Sequence, residues 1–203
     1  NPFAQFRITP NVKEREYLTE GEIRQLIEHE FSDATLAFTR DLFVFACFTA
    51  LSFADIRELT TDEIMDVNGE KWIISKRHKT GVPFQVKLLD IPLQIIGKYR
   101  PFQKDNSVFG EINYWNVCKK LKKVISECGI NKQISFHCSR HTFGTLALSK
   151  GMPIESVSRV LGHTNIKTTQ IYAKITTQKL GDDLTASGNQ RNQTFGNIKV
   201  AGT

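Results

Sequence analysis

Four residues in the last third of the chain have types and spacing suited to phosphoryl chemistry. The segment HCSRH runs from His137 to His141, LGH runs from Leu161 to His163, and Tyr172 follows nine residues after that histidine. His137 and Arg140 are three apart, so on a helix both side chains leave one face and can meet one phosphate. Arginine grips phosphate with a planar, permanently charged fork, and histidine donates a hydrogen bond or exchanges a proton near neutral pH. A phenol has a pKa of about 10, so its attack on a phosphodiester needs a nearby base or cationic field that favours the phenolate. Each residue alone has a plainer reading. HxxR is commonly a solvated or salt-bridged pair, Tyr172 a core aromatic with its hydroxyl at the surface, and His163 a residue of a turn between two helices. Their joint order and spacing favour the chemical reading.

The motifs HCSRHTFGT and LGHTNIKTTQIYAKI, with the length between them, resemble the catalytic domain of the tyrosine recombinases, also called the phage integrase family. The resemblance runs from about Leu18 to about Ile175, and its wording is similar to integrases of conjugative and mobilizable elements of Bacteroides-type bacteria. It implies that Tyr172 is the nucleophile, His137 the proton-handling partner, Arg140 a phosphate clamp and His163 a hydrogen-bond donor to the phosphate. The expected activity is site-specific strand cleavage and rejoining through a covalent 3′-phosphotyrosine with a free 5′-hydroxyl. Bond energy is conserved in that exchange, so no cofactor, metal or ATP is expected. The implied partner is double-stranded DNA with att-type sites, engaged as a homotetramer by a chain that is a monomer when free.

The stretch KWIISKRHKTGVPFQVKLL, Lys71 to Leu89, reads as a β-hairpin with its turn around Lys79, Thr80 and Gly81. It holds several cations and no acidic residue, a pattern suited to a phosphate backbone. In the resembling family a lysine on such a hairpin protonates the leaving 5′-oxygen, and Lys79 matches that position. One expected part is missing: the family's arginine after a TGL-like stretch is replaced by Ser52, which donates a hydrogen bond but cannot neutralise charge. Arg77 is the first choice of substitute, because two residues before Lys79 in an extended strand it points to the same face. Arg40 lies about 18 Å away along a straight helix. Arg57 reads more simply as a surface charge on the short helix after Ser52.

A net charge of +6 and a pI near 9.2 favour an anionic partner without selecting DNA. Neither a secretory signal nor a membrane-length apolar run is evident, so the sequence reads as cytoplasmic. Cys47, Cys118, Cys128 and Cys138 lack CxxC spacing and read as reduced thiols. His137, Cys138 and His141 lack the further ligands of a zinc site.

The elements that must position these residues are mostly helical. Residues 1–17 read as a linker from a missing upstream DNA-binding domain, 18–175 as the catalytic domain, and 176–203 as a short C-terminal helix and mobile tail. Thr19 with Glu22 forms a capping-box pattern for a helix through about Glu30. Leu36 to Leu51 is apolar all round and reads as a central buried helix. Further helices are expected from Pro92 to Tyr99, around Val117 to Ile125, from Pro153 to Leu161 and from Asn165 to about Ala173. The expected architecture is a mainly helical α+β domain with a small antiparallel hairpin or sheet at the active-site edge. Two other functions fit the same residues: a type IB topoisomerase that religates the original strand, and a non-catalytic DNA-binding module, made plausible by Ser52.

Overall fold

The computed structural model describes residues 16–103 and 105–173 together with Thr185. The expected linker over residues 1–15, the C-terminal helix and the tail therefore lie outside the described residues. Glu16 and Tyr17, read as linker, are held against the domain. A Glu16 carboxylate oxygen accepts from the Gln133 amide at 2.7 Å, and the Tyr17 carbonyl accepts from Lys132 at 3.0 Å.

The capping box forms as expected and starts α1 (Glu20–Glu28), with the Thr19 amide donating to the Glu22 carboxylate at 2.7 Å. The helix stops at Glu28, short of Glu30, because Arg40 takes over its end. One Arg40 nitrogen donates to the carbonyls of Leu26, Ile27 and His29 at 2.6, 2.8 and 2.9 Å. Those oxygens have no intrahelical partner, and a cation at a helix C-terminus also meets the favourable end of the dipole. Arg40 is thus a helix-closing residue, not a substitute for the arginine absent at Ser52.

The helix α2 (Ala34–Thr49) is the buried axis, with Leu42, Phe43, Phe45 and Ala46 at 0% exposure. Around it pack α1, α4 (Asp90–Tyr99), α5 (Tyr114–Glu127) and α6 (Cys138–Ser149). Aromatic edges lock these layers: Phe43 meets Phe136 at 5.9 Å and Phe45 meets Phe109 at 5.0 Å between ring centroids. Each such ring contributes about 1.5–3 kcal/mol through burial. After α2, Ala50 adopts a left-handed conformation (φ 56°), and Ser52 caps the short α3 (Phe53–Arg57) in a second capping box with Asp55.

The expected hairpin is present as β2 (Glu70–Lys76) and β3 (Pro83–Lys87), antiparallel with Ile73 opposite Val86. A third strand, β1 (Ile64–Val67), extends it to a sheet of order β1-β2-β3. Asn68 (φ 55°) and Gly69 (φ 81°) form its turn, the Asn-Gly signature of a tight hairpin. The last helices are α7 (Ile154–Leu161) and α8 (Lys167–Gln170). The latter is shorter than expected, and Tyr172 follows it in a turn. Tyr172 joins a small second core with Ala50, Leu148, Val157 and Leu161, separate from the one around α2. That cluster is the floor on which the site is built.

Candidate active site

His137 is the N-cap residue of α6 rather than part of it, but its helical backbone (φ −65°, ψ −23°) preserves the spacing to Arg140. Arg140 points into the domain, where it is 9% exposed. Its guanidinium donates to the carbonyl of Ala50 and, at 2.6 Å, to that of Leu161. The left-handed turn at Ala50 and the end of α7 are thereby pinned to one fork. Removing the guanidinium would leave both carbonyls without a partner among the described residues.

Arg77 reaches the same corner from the hairpin. Its guanidinium donates to Asp55 Oδ2 at 2.7 Å and to the carbonyl of Val160, and it lies over the Phe84 ring at 3.9 Å from the centroid. Two arginines therefore grip consecutive carbonyls, Val160 and Leu161, at the C-terminus of α7. A helix C-terminus carries about half a negative charge, which offsets the mutual repulsion of two buried cations. Gly162 closes α7 with φ 66° and is required twice over, because a Cβ there would lie 2.8 Å from Arg77 Nε.

Arg77 and Lys79 do not share a strand face, contrary to the expectation from sequence. The strand β2 ends at Lys76, and residues 78–80 form the turn, so the period of two is lost before Lys79. Arg77 is 6% exposed, whereas Lys79 stands exposed on the turn without a hydrogen bond or ion pair among the described residues. Arg57 is 46% exposed and paired with Glu58 at 2.9 Å, as a surface charge should be.

Asp55 was missed in the sequence, and it organises the corner. One oxygen accepts from Arg77 and from the Ser52 hydroxyl at 2.8 Å, and the other accepts from the His78 amide at 3.0 Å. Burial works to raise its pKa, but the His78 amide, the charge and hydrogen bond of Arg77, and Ser52 outweigh burial and hold it below the ordinary carboxylate value. The pattern Ser-x-x-Asp, visible at Ser52 to Asp55, was the available signal. Ser52 thus keeps a link to the site as a cap whose carboxylate partner holds an arginine.

His163 follows Gly162 in the turn between α7 and α8, as the sequence suggested, and its ring lies nearly parallel to that of Tyr172 (15°, centroids 6.4 Å apart). Burial drives its pKa down to about 4, and the charges of Arg140, Arg77 and His137 push the same way, so it is neutral at pH 7. Burial likewise pushes Arg140 down to about 10, with Arg77 adding to the shift and Tyr172 and Asp55 opposing it. Tyr172 is 7% exposed and meets the His141 ring edge-on at 5.1 Å, while His141 meets His137 at 5.0 Å. The tyrosine ring is also admitted by Gly144 on α6, where a Cβ would lie 2.8 Å from Tyr172 Cδ2. A glycine inside a helix costs about 1 kcal/mol relative to alanine, which marks a packing need.

This arrangement gathers two buried guanidiniums, a neutral imidazole and a phenol at the end of α7. A model of the phage integrase family matches residues 16–179, and the chain belongs to that family. Among its relatives, tyrosine recombinase XerA of Pyrococcus horikoshii is 32% identical over 136 residues, 62% of this chain and 47% of the relative. Tyrosine recombinase XerD of Listeria monocytogenes is 42% identical over 69 residues, 34% of this chain and 22% of the relative. The chain spans about half the length, or less, of the curated relatives it matches. In fold it is similar to the XerH site-specific recombinase bound to a palindromic difH substrate in a post-cleavage complex. That likeness has a TM-score of 0.71 at 20% identity and covers 88% of this chain and 55% of that one. It is also similar to the Tn1549 transposon integrase in complex with a circular intermediate DNA, with a TM-score of 0.73 at 16% identity over 92% of this chain and 71% of that one. The fold is that of a tyrosine recombinase catalytic domain, mainly helical with a small three-stranded antiparallel sheet.

Proposed function

We propose that the chain carries the catalytic domain, residues 18–175, of a site-specific DNA recombinase that cleaves and rejoins strands through a 3′-phosphotyrosine. The observation that carries this reading is the packing of Tyr172 beside His163 in a corner where Arg140 and Arg77 are both held by the end of α7. Tyr172 Oη attacks the scissile phosphorus, its proton passes to His137, and the bond from phosphorus to the 5′-oxygen breaks. Arg140, Arg77 and His163 hold the non-bridging oxygens as charge accumulates, a contribution that removal of one donor typically reveals as about 10²–10³-fold in rate. Lys79 delivers a proton to the departing 5′-oxygen from the exposed turn. Arg77 supplies the cation that Ser52 does not. Attack by a 5′-hydroxyl of a partner strand reverses the chemistry and joins new ends.

The substrate is duplex DNA with att-type sites, bound as a homotetramer in the cytoplasm, and the wording of the two motifs supports an integrase of a Bacteroides-type mobile element. No helix among the described residues is long and apolar enough to cross a membrane. The test is incubation with nicked or phosphorothiolate-bearing DNA, followed by denaturing electrophoresis. The parent chain should form a covalent adduct and Tyr172→Phe should form none; an adduct that survives in Tyr172→Phe, or its absence from the parent, would reject the reading.

A further inference from the structure

Among the described residues the imidazole of His163 has one hydrogen-bond partner, and that partner decides which nitrogen holds the proton. His163 Nδ1 lies 2.9 Å from Thr169 Oγ1, and Thr169 is 0% exposed. Two arrangements fit the distance. The hydroxyl donates to a bare Nδ1, or a protonated Nδ1 donates to the hydroxyl oxygen. In the second, the hydroxyl hydrogen needs another acceptor. Thr39 and Thr49, also in helices, hand theirs to the carbonyls of Thr35 and Phe45 four residues back, each at 2.8 Å. Thr169 makes no such bond among the described residues. Leaving a buried hydroxyl unpaired costs energy that the first arrangement avoids.

We infer that Thr169 is a positioning residue that locks His163 as the Nε2–H tautomer and couples that state to the seating of the nucleophile; this rests on the strand-cleavage reading above. The coupling is short. Thr169 belongs to α8, and the Tyr172 amide donates to the Thr169 carbonyl at 3.0 Å. A single turn of chain therefore carries the nucleophile at one end and the group that orients the imidazole at the other. With the proton on Nε2, the nitrogen on the far side of the ring from Thr169 is a donor suited to a phosphate oxygen. The opposite tautomer would present a lone pair to that oxygen and repel it. Burial, with the field of the two arginines added, keeps the ring neutral, so the tautomer, not the charge, determines what His163 offers.

Long-range proton–nitrogen correlation spectra of the histidine-labelled full chain test this directly, with His163→Gln assigning the signal. At neutral pH the parent and Thr169→Ser should show the Nε2–H tautomer. Thr169→Val should show a mixture, with covalent adduct formation slowed by about ten- to a hundredfold, whereas Thr169→Ser stays within about threefold of the parent. Thr169→Ala, which removes the hydroxyl together with the methyl and needs no extra room, replaces valine if that variant does not fold. An Nδ1–H tautomer in the parent overturns the inference. So does a hydroxyl-free variant with the parent's spectrum and rate. The spectra need no DNA, so failure of the cleavage reading would appear separately, as a parent chain that forms no adduct while its tautomer is still read.

Discussion

The corner at the end of α7 and the turn of the β2–β3 hairpin both supply cations to the proposed site, and they are built in opposite ways. At the corner, Arg77 and Arg140 are buried, each held by at least two partners, and His163 is fixed through Thr169. At the turn, Lys79 is exposed, with no such bonds among the described residues. The difference matches the two tasks. Stabilising a developing charge favours donors already oriented before substrate arrives, because reorganisation would consume the benefit. Delivering a proton requires a group free to meet the leaving oxygen when DNA is bound.

The largest effect should come from Arg140→Ala, which strips the Ala50 and Leu161 carbonyls of their donor and removes a phosphate ligand. Charged hydrogen bonds of this kind contribute about 1.5–3 kcal/mol each, so chemical denaturation should show a loss of several kcal/mol beside a cleavage loss above about 10³-fold. Arg77→Ala comes next, with a cleavage loss of about 10²–10³-fold. It also leaves the Asp55 carboxylate buried and unpaired, at a cost of about 3–5 kcal/mol. The double variant Arg77→Ala with Asp55→Asn removes that stranded charge and should recover much of the stability while cleavage stays low. Recovery of cleavage along with stability would make Arg77 a structural group and leave the charge missing at Ser52 without a replacement. Arg57→Ala is the control, within about 0.5 kcal/mol of the parent and with near-parental cleavage.

Lys79→Ala tests the exposed half. Its melting temperature should match the parent, because no partner among the described residues is lost, while the cleavage rate falls by about 10²-fold. A substrate whose leaving atom is sulfur needs no proton to depart, so the deficit should shrink on phosphorothiolate DNA. A deficit of equal size on both substrates would take the proton from another group.

How far the sequence revealed this design follows from the range of the interactions involved. Elements set by local rules were legible: the Thr19–Glu22 capping box, the apolar run that becomes α2, the basic hairpin and the helix–turn around Gly162. The four motif residues were legible because their spacing survives folding. Asp55 was not singled out, because its importance lies in Arg77, which is 22 residues away in sequence. Arg77 itself was proposed from strand alternation, which fails at the turn after Lys76; the buried position depends on Asp55, Phe84 and the end of α7 instead. Arg40 was a candidate only as long as the carbonyls of α1 were out of view. Thr169 gave no signal, since a threonine near a helix is ordinary until its partner is known.

The smallest expected effect concerns pH, and it probes the anchored half without DNA. An unfolded His163 takes a proton near 6.5, but the folded one only at about 4. Between those values the unfolded state binds more protons, so stability is intact above the upper value and falls as pH drops towards the lower one. Asp55 acts in the same sense, because its folded pKa is depressed and its contribution is lost as pH falls through that folded value. The parent should therefore lose melting temperature between pH of about 7 and about 4.5 by more than His163→Gln does, since the contribution of Asp55 is lost only below that window. Equal slopes would mean that His163 gains its proton in the folded chain as readily as in the unfolded one. The ring would then be solvated or paired with an anion rather than buried in the field of two guanidiniums, and His163 would belong with Lys79 among the groups that take up their roles only on binding.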